Sequence, residues 1–169
     1  MPIPAKVKRF LDRNKVKYEA IEHRTVFTAF DKATTLRVLQ KIVGKTLALK
    51  TDPTGKPSAS YGAGKTYALA LIPSNKNLDK MKFKKVAKAK HIDFAKEVWI
   101  KKNLKGVKVG AVPPFGFLWK LPTFADRSLM NQKNIIVNGG AWNWSIKITP
   151  AVFKKMIPGL ILGGFCKPR

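Results

Sequence analysis

The sequence predicts a single α+β domain spanning residues 1–169, with a mixed, mainly antiparallel sheet or partly open barrel flanked by short helices. Three observations carry that expectation. Short apolar runs of strand character alternate irregularly with segments of helical period. Glycine and proline punctuate them at close intervals. At 169 residues and 45% hydrophobic, the chain can fill one sizeable core, and neither an internal repeat nor a Pro-rich linker divides it.

Residues 4–14 place Val7, Phe10 and Leu11 at helical spacing, opposite Lys6, Lys8, Arg9 and Arg13, which makes a short amphipathic helix. Val16, Tyr18 and Ala20 then alternate with Lys17 and Glu19, the period of a half-buried strand ending at Glu22 and His23. Thr28 and Asp31 form a capping-box pattern for a second helix, whose buried stripe runs through Ala29, Ala33, Leu36, Leu39 and Val43. Residues 45–50 and 67–72 read as buried strands joined by a connector rich in Gly, Pro, Ser and Thr, expected to be long, exposed and mobile. Its GAGKT stretch lacks the full phosphate-loop pattern, because Ala59 stands where the first glycine belongs.

Asp79 is placed to cap a third helix, with Leu78 and Phe83 as its hydrophobic staple. Lys80, Lys84 and Lys88 fall on one stripe of it, either a solvated face or a phosphate track for RNA. A strand over 91–95 and a short helix over 96–104 follow. After Asp126 come a short irregular or helical piece, a strand over 134–138, a Gly139-Gly140 turn and a strand over 144–149. Thr149 and Pro150 suit the cap and first position of a last helix reaching Met156. Trp142 and Trp144, two apart, are expected on one side of a strand, one in the core and the other open to base stacking.

Lys and Arg number 34 against nine Asp and Glu, a formal charge of +25 spread along the chain. Such a surface favours polyanions, nucleic acid ahead of a membrane, although a general richness in lysine produces the same surface. One cysteine, Cys166, cannot form an internal disulfide and reads as a bystander thiol. With no signal-peptide pattern and no apolar run near ~20 residues, a cytoplasmic protein without a membrane partner is expected.

The inventory of reactive residues is thin. Two histidines and one cysteine give no metal-ligand spacing, so no metal and no cofactor are expected. Paired-carboxylate chemistry is poorly supplied and no G-x-S-x-G elbow occurs. An enzyme with these residues would work by positioning and electrostatics, means that suit hydrolysis of an already activated ester. Residues 107–126, VKVGAVPPFGFLWKLPTFAD, set a Pro-Pro-aromatic-Gly turn between two apolar runs. It is either a rigid structural turn or one that presents backbone N–H groups to an anion.

Five stretches, taken in order, carry a resemblance: Lys45-Thr46-Leu47, the segment ALALIPSNKNLDKMKFKKVAKA, the turn VGAVPPFG, LPTFAD and the hairpin IIVNGG. From about His23 to about Phe153 the chain resembles the YbaK-type aminoacyl-tRNA deacylases, which include free-standing relatives of the prolyl-tRNA synthetase editing domain. The resemblance implies a metal-independent trans-editing hydrolase that cleaves the ester of a mischarged aminoacyl-tRNA. Its implied partners are the aminoacylated acceptor end of tRNA and an aminoacyl-tRNA synthetase on which it docks. Lys45 matches the family lysine beside which the terminal adenosine and its aminoacyl group bind, with Thr46 next to it. Gly110 and Ala111 open, and Pro114, Phe115 and Gly116 complete, the turn that matches the loop closing over the ester. His23 and Thr28 match the rim of the pocket, and Asp126 matches an acid that organises it. A ribose hydroxyl and a held water are implied to share the proton transfers. Two departures stand out: Gly110-Ala111 replaces a usual Gly-Gly, and Gly106-Val107 replaces a Gly-Tyr. A methyl at 111 narrows the pocket or shifts its amino-acid preference. The competing reading is a non-catalytic, basic tRNA-binding domain on the same scaffold.

Overall fold

The computed structural model describes residues 2–52 and 67–169. The connector with its GAGKT stretch lies outside the described residues. The expected class is found: an α+β arrangement with six α-helices among the described residues and strands in separate sheets. No closed barrel forms among them.

A five-stranded sheet runs in the order β5 (His91–Phe94), β2 (Gly44–Asp52), β3 (Tyr67–Pro73), β6 (Thr123–Asp126), β9 (Ile161–Gly163). The first two pairings are antiparallel, whereas β3–β6 and β6–β9 are parallel. Every residue of β6 and all but the first of β3 are buried, which explains why YALALI reads as an unbroken apolar run instead of an alternating one. A second, antiparallel sheet has the order β1 (Glu19–Glu22), β8 (Trp144–Ile148), β7 (Ile135–Asn138). The parallel bridge of Val43 with Ile136 joins the two sheets at the point where β2 begins. A two-stranded ribbon of β4 (Lys76–Leu78) and β10 (Cys166–Pro168) completes the strands. Lacking strong periodicity, β4, β9 and β10 were not expected from sequence.

The helices obey local rules. Thr28 accepts from the Asp31 N–H to open α2 (Ala29–Leu36), Asp79 from Lys82 to open α3 (Lys80–Ala87), and Thr149 from Val152 to open α6 (Pro150–Met156). Phe83 and Leu78 are buried in one cluster, as the staple predicts. The second helix ends earlier than its apolar stripe suggests: Arg37 turns left-handed at φ 55°, and Leu39 is 65% exposed. The first strand begins at Glu19, so Val16 and Tyr18 contact the core from the chain leading into it. The main core joins α1 (Ala5–Arg13) through Val7, Phe10 and Leu11 to Phe115, Phe153 and the inner face of the second sheet. No helix among the described residues is long and apolar enough to cross a membrane.

Candidate functional site

The start of β2, the N-terminal half of α2, the end of β7 and the turn at 108–111 enclose a cavity of about 240 Å³. Lys45 and Thr46 come to it from β2, Thr28 and Lys32 from α2 and its cap, and Asn138 from β7. Gly110, Ala111 and Trp142 close it, and Phe27 packs edge-on against Trp142 with ring centres 5.2 Å apart. No carboxylate or imidazole is among the lining side chains.

Lys45 is half-buried and borders a second, more open cavity as well, about 470 Å³, with Asn77, Lys80, Met81, Phe94 and Lys167 around it. Burial lowers the Lys45 pKa, Arg169 adds to that by repulsion, and Cys166 opposes it. Burial pushes the Cys166 thiol well up, consistent with an unreactive sulfur. Beside Lys45, the Thr46 hydroxyl is buried without a hydrogen-bond partner among the described residues. A buried hydroxyl in that state costs free energy unless something else meets it.

Gly110 holds φ at +84°, a conformation that a side chain would strain, and the space beyond it is open to Trp142 at 3.7 Å. The Ala111 N–H is committed to the Lys108 carbonyl at 3.0 Å, and its own carbonyl accepts from Gly140 at 3.0 Å. Thus Ala111 shapes the wall with its methyl group, while its amide is not free to meet an oxyanion.

Other expected site residues lie elsewhere. Pro114, Phe115 and Gly116 are buried in the body of the protein and do not line the cavity. Phe115 packs between Phe10 and Phe153, with ring centres 5.1 and 6.4 Å away. Gly116 donates to the Thr123 hydroxyl, and a methyl there would stand 2.3 Å from that oxygen. The turn therefore divides at Val112, its first part facing the cavity and its second filling the core. His23 is also outside the cavity. Its Nδ1 donates to the Arg24 carbonyl at 2.7 Å, which leaves Nε2 to accept from the Ser145 hydroxyl at 2.8 Å. Burial lowers its pKa, the bond to the Arg24 carbonyl opposes that, and the positive charge of Lys32 adds to it.

Asp126 is the last residue of β6 and is buried there. It accepts from the N–H and hydroxyl of Ser128 and from the Phe165 N–H at 2.9 Å, tying the C-terminal segment to β6. Burial pushes its carboxyl up, but these bonds and the Cys166 thiol outweigh burial and leave the pKa below the usual value. On α3, Lys80 is paired with Asp93 and sits over the Phe94 ring, whereas Lys84 and Lys88 face away from both cavities. Trp142 lies in the turn before β8, so it does not share a strand face with Trp144. Its indole N–H donates to the Val109 carbonyl at 2.8 Å, holding the ring as a wall of the cavity.

Sequence reasoning missed Lys32 and Asn138. Lys32 is 5% exposed, and its Nζ donates to Asn138 Oδ1 at 2.5 Å. Burial brings its pKa down to about 8. The signal was present: Lys32 stands three residues after Ala29 and four before Leu36, on the apolar side of the helix.

Among the described residues, the pocket at the junction of the two sheets is small, free of acids and bordered by a half-buried lysine. The chain belongs to the aminoacyl-tRNA editing domain family, whose model matches residues 23–156. Its fold is shared with a candidate trans-editing enzyme for prolyl-tRNA synthetase, at TM-score 0.78 and 19% identity over 99% of this chain and 98% of that one. A hypothetical protein of known crystal structure superposes at TM-score 0.79 and 19% identity, over 96% of this chain and 99% of the other. A scaffold protein used in computational epitope grafting does so at TM-score 0.80 and 20% identity, over 100% and 99%. At these identities the likeness is one of fold.

Proposed function

We propose that the protein is a free-standing trans-editing hydrolase that cleaves the ester between a wrong amino acid and its tRNA. The observation that carries this reading is the position of Lys45 at the border of two cavities. The smaller one suits an aminoacyl group, and the larger, with Lys80, Lys167 and the exposed ring of Phe94, suits the terminal nucleotide and its phosphate. The ester then lies against Lys45, which stabilises the oxyanion of the tetrahedral intermediate. Gly110 permits close approach of backbone to the acyl group.

Among the described residues neither a carboxylate nor an imidazole lines the smaller cavity, and Asp79 at the larger one caps α3, so proton transfer is assigned to groups that come with the substrate: the attacking water and the ribose hydroxyl beside the ester. The dense positive charge brings tRNA to the surface, with Lys84 and Lys88 as outlying phosphate contacts and a synthetase as a docking platform. The cytoplasm is the setting proposed for it.

The test is release of amino acid from a panel of mischarged tRNAs, including alanyl- and cysteinyl-tRNA specific for proline, by the wild type and Lys45→Ala. The expected outcome is cleavage of one or a few esters, reduced about 100- to 1,000-fold in the variant with an unchanged circular dichroism spectrum. Salt-sensitive tRNA binding with no cleavage of any ester would instead establish the non-catalytic tRNA-binding reading, which the commitment of the Ala111 amide within its turn favours.

A further inference from the structure

The proposed chemistry uses Lys45 and leaves the second ammonium of the cavity without a task. Lys32 is held at the wall between α2 and β7, 5% exposed. Asn138 Nδ2 donates to the Val112 carbonyl at 3.2 Å, which fixes the amide with its oxygen toward Lys32 at 2.5 Å. An ammonium has three donors, and among the described residues Asn138 is its hydrogen-bond acceptor. A buried cation with one neutral acceptor is unfavourable by itself, and the lowered pKa of Lys32 reports that cost.

The surroundings do not relieve it. Lys45 adds a second positive charge to the same cavity, and among the described residues no carboxylate lines the space. Donors converge on a small volume that holds no anionic acceptor. An acyl group placed there brings its own α-ammonium, which two lysines repel unless the same group also carries a negative charge. A tRNA backbone phosphate, bonded to a ribose on either side, is poorly shaped to reach a side chain so deep; a carboxylate at the end of a short side chain is well shaped for it.

We propose that Lys32 selects an aminoacyl group whose side chain bears a carboxylate, aspartyl or glutamyl. The ammonium of Lys32 donates to the carboxylate, and Asn138 holds Lys32 in place. This inference rests on the editing reading of the same site.

The test compares stable 3′-amide analogues of aspartyl- and asparaginyl-adenosine, which differ in charge and hardly in shape, by calorimetric titration of the full chain. The wild type is expected to bind the aspartyl analogue about 10- to 100-fold more tightly, as a charge-assisted hydrogen bond gives. Lys32→Met should reduce the preference to about 2-fold or less, and Lys32→Arg should keep part of it. Equal binding of both analogues by the wild type, or a preference that survives Lys32→Met, overturns the inference. Deacylation assays on the same preparations separate it from the reading on which it rests. Cleavage of an alanyl ester with no discrimination between the analogues would sink the role of Lys32 and leave editing standing. Discrimination without cleavage of any ester would sink editing and leave a carboxylate-binding site at Lys32.

Discussion

Lys32 and Asp126 are the two charged side chains buried among the described residues, at 5% and 3% exposure, and they are treated in opposite ways. Asp126 ends β6 among donors: the Ser128 N–H and hydroxyl and the Phe165 N–H all point at its carboxylate. Those bonds make the charged form the favoured one and lower its pKa. Lys32 has a single amide oxygen and a cavity, and its pKa falls because the charged form is the disfavoured one. Satisfaction of a buried charge by its own chain marks a joint of the fold; a charge left with donors to spare marks a place for something else. The family resemblance pointed to Asp126 as a residue of the pocket, and the hydrogen bonds show it instead as an anchor for the C-terminal segment.

The largest effect expected from this comparison is the loss of Asp126. Asp126→Ala leaves the buried Phe165 N–H without its acceptor and removes the cap of the short helix α5 (Arg127–Met130), which should destabilise the protein by about 3 kcal/mol and lower Tm by about 10 °C. Because the folded pKa of Asp126 is depressed, its contribution is present above the carboxylate's unfolded value of 3.8 and fades as pH falls through the folded one, so chemical denaturation at pH 7 and at pH 3 should show the gap narrowing in acid.

Lys32→Met should move stability the other way, by roughly 1–3 kcal/mol at pH 7, since it removes a buried cation with little compensation. The sign of the pH dependence is also reversed. With a folded pKa of about 8 and an ordinary value of 10.5, wild-type Lys32 is charged in both states below pH 8 and carries its full penalty there. Between these values the folded state sheds the proton first, so the wild type gains stability as pH rises and the advantage of Lys32→Met shrinks. Urea denaturation at pH 7 and pH 9.5 checks this, and an advantage independent of pH would break the contrast with Asp126.

The smallest change is expected where the charge is exposed. Lys101 pairs with Glu97 one turn away on α4 (Glu97–Asn103), with the two side chains 67% and 66% exposed. Lys101→Ala should shift stability by no more than about 0.5 kcal/mol in the same denaturation assay. A larger loss would mean that charge number, and not burial, governs the energetics of this basic chain.

Most of the fold was legible because its signals are local. The caps at Thr28, Asp79 and Thr149, the Leu78–Phe83 staple and the apolar run of β3 each depend on residues within a few positions of one another. The end of α2 was misjudged because Leu39 has the right character at helical spacing, yet the left-handed turn at Arg37 carries it to the surface. The parallel pairing of β6 with β3 and β9 was not legible, because the partners lie far away in the chain and no short-range pattern specifies a parallel register.

The candidate site was half legible. Lys45, Thr46, Thr28, Gly110 and Ala111 line one cavity. His23, Pro114, Phe115, Gly116 and Asp126 do not line it: Ser145 holds His23, Phe10 and Phe153 pack on Phe115, Phe165 binds Asp126, and the nearby Thr123 holds Gly116. By itself the sequence determined the α+β class, the helix starts, the basic surface and the family to which the chain belongs. Only the tertiary structure decided which side of the 107–126 turn meets the cavity and that Lys32 stands in it beside Asn138. The Lys32–Asn138 contact joins residues 106 apart in sequence, where local pattern carries no information, and the direction of a side chain at a turn depends likewise on what packs against it.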